Sequence, residues 1–304
     1  MHSSNRANWI GRGSLNSMSS SSNKPVAIIA GNGGLPFETA DVLLAKGRQV
    51  HLVGISGEVG SSIENYAHTM VEWGQIGKLF RVLKQHSVEE VLLIGGVDKR
   101  PDISLRKMDW GGLRTLPQIL AIMLAGDNTV LTSVVGIFES KGLKVKSMID
   151  LAPELLVVSG ANTSIKPSRA DQRRLQQGAD VVAALGRFDI GQGAVIVGDR
   201  AVAVEGVEGT DSMLRRVAEL KQTGRLPSKR GGVLVKRAKP KQSLRADLPA
   251  IGPQTIENLH RAGLVGVGVE AGKTLIADRE RTLELALQSK IFICGIDLQD
   301  EDLS

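Results

Sequence analysis

Short apolar runs alternating with glycine turns and helix-like spacing dominate the first half of the chain. Residues 26–30, Val-Ala-Ile-Ile-Ala, are continuously apolar, the pattern of a parallel strand buried on both faces. They run into Gly31-Asn32-Gly33-Gly34-Leu35-Pro36 and then a helix carrying Phe37, Ala40, Leu43 and Leu44. Pro36 suits the first turn of that helix, because its missing N–H has no intrahelical partner to lose. Residues 50–53 read as a second short strand. Residues 75–86 form an amphipathic helix with Ile76, Leu79, Phe80 and Leu83 at i, i+3, i+4 and i+7. Another buried strand over 91–94 ends in Gly95-Gly96-Val97-Asp98-Lys99-Arg100. Asp127-Asn128 is a cap for a helix over 129–140 that buries Val130, Val134, Ile137 and Phe138. Residues 144–149 alternate like a final strand.

Strand, glycine turn and helix in this order predict an α/β fold, with a Rossmann-like βαβ domain over 24–150. Residues 151–168, with Pro153 and Pro167, read as a linker. A second α/β domain spans 169–297. It opens with a helix near 170–185 and a β-hairpin, 194–197 with 201–204, turning at Gly198-Asp199. An acidic loop with Glu205, Glu208 and Asp211 leads into a helix bearing Met213, Leu214, Val217 and Leu220. Further on come a helix over 255–262, short strands at 265–269 and 274–276, a last helix capped by Asp278, and a strand at 291–294. Residues 298–304 are an acidic tail. Residues 1–23, rich in Ser and Asn and without an apolar signal core, are a disordered leader outside the fold.

Composition narrows the function classes. The 304 residues are 42% hydrophobic and 23% charged, ordinary for a globular protein large enough for two cores. Aromatic residues make up only 3%, which argues against nucleic acid held by base stacking. The net charge of +6 is concentrated: nine Lys and Arg with no acid lie between 221 and 245, leaving about −3 elsewhere. Such a patch suits a nucleotide diphosphate, an anionic membrane surface or a nucleic-acid backbone. The single cysteine, Cys294, excludes an intramolecular disulfide and points to a cytoplasmic setting. No apolar run approaches the roughly 20 residues of a membrane-spanning helix.

The candidate chemistry is that of phosphate. Glycines at 31, 33 and 34 with Pro36 depart from the G-x-G-x-x-G fingerprint, so the turn is a weak nicotinamide site; it fits a nucleotide or sugar phosphate, or a tight turn with no ligand. Asp98, Lys99 and Arg100 follow a strand's carboxyl end, where α/β sheets bind ligands, though a plain polar loop reads the same way. Asp211 is either a helix cap or, with its acidic neighbours, an oxygen ligand to Mg2+; Arg215 and Arg216 could face a phosphate. In 236–256 a run of cations ends in Asp247, followed by the stiff Leu248-Pro249. That stretch is either a phosphate clamp with one acid for a metal or water, or a solvated basic loop. The five histidines are scattered, there is no cysteine cluster, and neither a nucleophile elbow nor a P-loop is present. What remains suits Mg2+-assisted chemistry on a phosphate or pyrophosphate.

Five motifs occur in order: Ala30-Gly31-Asn32-Gly33-Gly34-Leu35-Pro36; Gly95-Gly96-Val97 with Arg100-Pro101-Asp102; residues 186–193, Gly-Arg-Phe-Asp-Ile-Gly-Gln-Gly; Glu208-Gly209-Thr210-Asp211 with Met213-Leu214-Arg215-Arg216; and Arg245-Ala246-Asp247-Leu248-Pro249 with Ile251-Gly252. Together they closely resemble the LpxI-type UDP-2,3-diacylglucosamine pyrophosphatases of Gram-negative bacteria, over about 24–297. The resemblance implies a two-domain α/β hydrolase of lipid A biosynthesis with substrate in the cleft between domains. It implies Mg2+, attack of water on the sugar-side phosphorus, and release of UMP and 2,3-diacylglucosamine 1-phosphate. The family's essential aspartate lies in an Arg-Val-Asp-Leu-Pro motif and maps to Asp247, with Ala246 in place of Val. The second phosphohydrolase family for this reaction uses a His-, Asn- and Asp-rich two-metal site, which has no counterpart here.

On this resemblance Asp247 is expected to bind metal or activate water, with Asp211 and Glu208 as further metal ligands. Arg245, Arg215 and Arg216 are the expected phosphate clamps. Gly31, Asn32, Gly33 and Gly34 cradle part of the substrate, and Asp98, Arg100, Gln192 and Thr210 complete its contacts. The partners expected are the UDP-linked diacylated glucosamine, the inner-membrane surface as a peripheral site through the basic patch, and a second copy in a homodimer, with no nucleic acid. The rival classes are a nicotinamide-dependent oxidoreductase, detectable by NADH titration, and a non-catalytic binder that leaves the UDP-lipid intact.

Overall fold

A computed structural model describes residues 24–96, 109–112, 127–188, 190–238, 245 and 248–298. The first sheet contains β1 (Val26–Ala30), β2 (Val50–Ile55), β3 (His68–Val71), β4 (Glu90–Ile94) and β5 (Lys144–Lys146), all parallel in the order β3-β2-β1-β4-β5. Helices α1 (Leu35–Ala45), α2 (Ile76–Gln85) and α3 (Asp127–Ser140) accompany it. The continuous apolar run of β1 has the expected cause. Ile28 and Ala30 pack in one cluster with Ala40 and Leu43 of α1, whereas Ala27 packs in another with Leu79 and Leu83 of α2 and Phe138 of α3. A central strand covered on both faces has no polar side to show.

The segment expected to link the domains is built into both. Ser147 opens a short helix α4 (Met148–Leu151) with a reciprocal capping box to Asp150. That helix ends the predicted strand over 144–149 at Lys146. Leu151, Ala152, Leu155 and Leu156 then lie in the first core, and Val157 in the second.

The second sheet is mixed and follows a two-residue strand, β6 (Gly160–Ala161). Strand β7 (Gly193–Val197) runs antiparallel to both β8 (Arg200–Val204) and β9 (Val233–Lys236), while β9, β11 (Gly266–Glu270) and β13 (Phe292–Ile296) are parallel. Helix α5 (Arg169–Gly186), capped by Ser168 and Asp171, covers one face. It approaches so closely that a Cβ on Gly178 would sit 2.4 Å from Val235 Cγ2. The other face carries Met213, Leu214 and Val217 of α6 (Gly209–Gln222), Ile256 and Leu259 of α7 (Pro253–Arg261) and Ala286 of α8 (Arg279–Gln288). Asp278 precedes α8 in a left-handed conformation, φ 43°, and makes no side-chain cap bond, so the expected capping role is not played.

A two-stranded parallel ribbon, β10 (Ala250–Ile251) with β12 (Leu275–Ile276), lies between the cores. Its period of two divides it: Ala250 and Leu275 pack with the first core, Ile251 and Ile276 with the second. Two polar contacts reinforce the seam. Glu38 Oε1 accepts from the Asp278 N–H at 2.8 Å, and Arg245 meets Glu139 at 2.9 Å.

The basic run is not one solvated patch. Lys221 is buried and its ammonium donates to the carbonyls of Gly231 (3.2 Å) and Gly263 (2.9 Å); burial holds its pKa below the ordinary lysine value. Arg230 is fastened to the carbonyls of Ser289 and Lys290, and Lys236 is buried. Among the described residues no helix is long and apolar enough to cross a membrane.

Candidate active site

The glycine turn after β1 and the Gly95-Gly96 turn after β4 are interlocked. The Gly31 N–H donates to Ile94 O at 2.9 Å, the Asn32 N–H to Gly96 O at 2.7 Å, and the Gly96 N–H back to Asn32 O at 3.0 Å. A Cβ on Gly31 would stand 2.4 Å from Gly96 O. Gly95 has φ +103°, and its Cβ would come within 2.7 Å of Gly31 C. These glycines are therefore required by backbone meeting backbone, before any ligand is considered. Gly33 and Gly34 are different: both are exposed, and Gly34 starts α1 without a side-chain cap. The turn thus presents the N-terminus of α1, favourable to an anion, toward open space.

That space is a cavity of about 280 Å³ between the domains. Asn32, Gly33, Gly34, Gly95 and Gly96 line one wall, at the carboxyl ends of β1 and β4; Arg245, Leu248, Ala250 and Ala277 line the other. Asp247 lies outside the described residues, as do Asp98 and Arg100. Its chain neighbours Arg245 and Leu248, however, both face this cavity. Leu248 also packs against the first core, and Pro249 O accepts from the Leu275 N–H at 2.9 Å, so the stiff Leu-Pro step is anchored at the seam.

The structure brings the glycine turn and Arg245 together; the other expected site residues that it describes do not line this cavity. Arg215 lines a separate cavity of about 370 Å³ between α6 and α7, where it donates to Ser212 Oγ at 2.8 Å. Arg216 donates to Val204 O at 3.0 Å and pairs with Glu208 at 3.1 Å. Asp211 accepts from Asn258 Nδ2 at 2.9 Å, and Thr210 Oγ1 donates to Glu205 Oε2 at 3.0 Å. Gln192 immediately precedes β7; its backbone carbonyl accepts from the Arg237 N–H, and its side-chain oxygen is buried without a partner. Glu208 and Asp211 are thus each held by a partner of their own, and no group of three or more His, Cys, Asp or Glu suited to a metal occurs among the described residues.

Three charges at the second sheet's edge are buried, which the sequence did not show for the acidic-loop Glu205, for Lys236 of the basic run or for Glu270. Glu270 pairs with Lys273 at 3.0 Å and lies 3.8 Å from Arg237. Their only signal is a charge closing an apolar run, as in Val233-Leu234-Val235-Lys236. The histidines are also less scattered than their spacing suggests. His51 stacks on His86 with ring centroids 3.9 Å apart, away from the cavity.

Comparison with known proteins follows this division. The family model for the LpxI N-terminal domain matches residues 25–155, and that for the LpxI C-terminal domain matches 158–294. The chain belongs to the LpxI family. The gap between the two LpxI matches falls where Leu156 leaves one core and Val157 enters the other. The UDP-2,3-diacylglucosamine pyrophosphatase LpxI of Caulobacter vibrioides is 36% identical over 278 residues, covering 91% of this chain and 99% of that protein.

Proposed function

We propose that this chain hydrolyses the pyrophosphate bond of UDP-2,3-diacylglucosamine, giving UMP and 2,3-diacylglucosamine 1-phosphate for lipid A biosynthesis. Likeness along nearly the whole chain to the Caulobacter enzyme carries the reading. The interdomain cavity supports it, because a glycine turn and helix N-terminus on one wall oppose Arg245 on the other. In this view the first domain is Rossmann-like, its β3-β2-β1-β4-β5 order putting the glycine turn at the centre of the sheet's carboxyl edge, and the cavity is the active-site cleft.

The α1 N-terminus, through the Gly34 and Leu35 N–H groups, holds one phosphate, and the Arg245 guanidinium neutralises charge on the other. Asp247, between Arg245 and Leu248, orients a water at the sugar-side phosphorus and takes a proton from it. The new P–O bond forms there as the bridging oxygen leaves with UMP. Mg2+ is the cofactor that the resemblance implies. Among the described residues no group of three or more His, Cys, Asp or Glu gathers to hold it. An acylated substrate suits a cytoplasmic protein working at the inner-membrane surface, as a monomer or homodimer.

Release of UMP from UDP-2,3-diacylglucosamine by the purified protein tests this, with Mg2+, with excess EDTA and with Asp247→Ala. Turnover abolished in both controls is expected. Full turnover by Asp247→Ala would remove that residue from the mechanism. A folded wild type that binds the lipid without cleaving it would leave a binding protein.

A further inference from the structure

Arg215 and Arg216, nearly two turns into α6, bond to Ser212 and to Glu208 with the Val204 carbonyl, and neither lines the interdomain cavity. A different cation stands beside that cavity. Lys236 ends β9 at the edge where the parallel strands β9 and β11 stop, and it is only 5% exposed. Its Nζ donates to Ala250 O at 3.0 Å, and Ala250 lines the cavity together with Arg245 and Leu248. In register across the ladder, Lys236 pairs with Gly193 of β7. The bare glycine matters, because a Cβ there would meet Glu205 Oε2 at 2.6 Å. Gly193 therefore lets a buried carboxylate lie on the strand next to the lysine's own.

A lysine seldom buries its charge, and one buried at a strand's carboxyl edge is placed where α/β sheets bind ligands. The Ala250 carbonyl accepts from the ammonium and holds it at the seam. We propose that Lys236 anchors a phosphate of the UDP moiety from the second domain, opposite the glycine turn of the first. This deepens the pyrophosphatase reading and rests on it: a substrate with two adjacent phosphates is gripped by the α1 N-terminus on one side and by Lys236 with Arg245 on the other. Lysine acts here as a compact point charge, which a phosphate accepts without the fork geometry of arginine.

The test compares UDP with uridine by titration calorimetry, on wild type and Lys236→Met, alongside turnover of UDP-2,3-diacylglucosamine. UDP affinity should fall about 10- to 100-fold, as for loss of one charge-assisted hydrogen bond, while uridine affinity stays within about twofold. A parallel loss for both ligands, or no loss for either, would overturn the anchoring role; a lysine that only braces the Ala250 strand would not tell the two ligands apart. Lys236→Gln, which keeps a donor for the Ala250 carbonyl but not the charge, gives the same discrimination if the Met variant does not fold. Wild type that binds UDP but fails to cleave the lipid would sink the pyrophosphatase reading, whereas the UDP-to-uridine comparison would still decide on Lys236.

Discussion

Gly31→Ala places a methyl carbon 2.4 Å from the Gly96 carbonyl oxygen, backbone against backbone. Ordinary C···O contacts lie near 3.3 Å, so the carbonyl must retreat by about 1 Å. That movement breaks the Asn32 N–H to Gly96 O bond of 2.7 Å and strains its return partner of 3.0 Å. Overpacking costs about 1–3 kcal/mol and each lost bond about 1 kcal/mol, against a gain of about 0.5 kcal/mol from the stiffer unfolded chain. The net expectation is a loss of about 2–4 kcal/mol, or roughly 5–12 °C in melting temperature for domains of this size. Differential scanning calorimetry measures it, with Gly34→Ala as the comparison. At Gly34 φ is −86°, and the new carbon meets only the flexible Glu38 carboxylate at 3.3 Å, so the change should stay within about 0.5 kcal/mol. Equal melting temperatures for the two variants would refute the interlocked-turn account.

Two further outcomes bear on the first domain. Arg48 and Glu90 form a buried pair at 2.6 Å, with side chains 8% and 7% exposed. Glu90→Gln leaves a guanidinium without its counter-charge and should cost about 3–5 kcal/mol in urea unfolding, whereas Arg48→Met with Glu90→Leu should cost less than the two single changes summed. His51, held against His86 and within the field of His68, has its pKa lowered to about 4, first by burial and then by those two neighbours. The unfolded chain takes up this proton near pH 6.5 and the folded one does not, so the contribution is complete above pH 6.5 and is lost as pH falls toward 4. Its size is about 3 kcal/mol, and His51→Gln should flatten the stability profile over that interval in chemical denaturation. An unchanged slope would remove His51 as the cause.

Much of the fold was legible because its signals are local. The run over 26–30 is apolar because both faces of β1 are covered, and the hairpin of β7 and β8 turns at Gly198 where expected. The capping boxes at Ser147 and Ser168 are local too, a serine three residues ahead of an aspartate, and they end one predicted strand and open one helix. Arg245 was expected at a phosphate only through the family resemblance; its place at the cavity comes from the tertiary contact that ties Pro249 to Leu275.

The sequence by itself determined the class of fold, the glycine turn, the family and the aspartate motif, because these rest on periodicity, on backbone freedom at glycine and on residue order. Only the tertiary structure decided why Gly31 and Gly95 must be glycine, since the clash each avoids is with a turn some 64 residues away. It also decided the fate of the cations. Lys221 and Arg230 meet carbonyls from distant elements, Arg215 faces its own cavity, and Lys236 reaches the interdomain seam. A charge's partner is set by which strand edges and helix ends the packing brings within 3 Å, and neighbours along the chain carry no record of that.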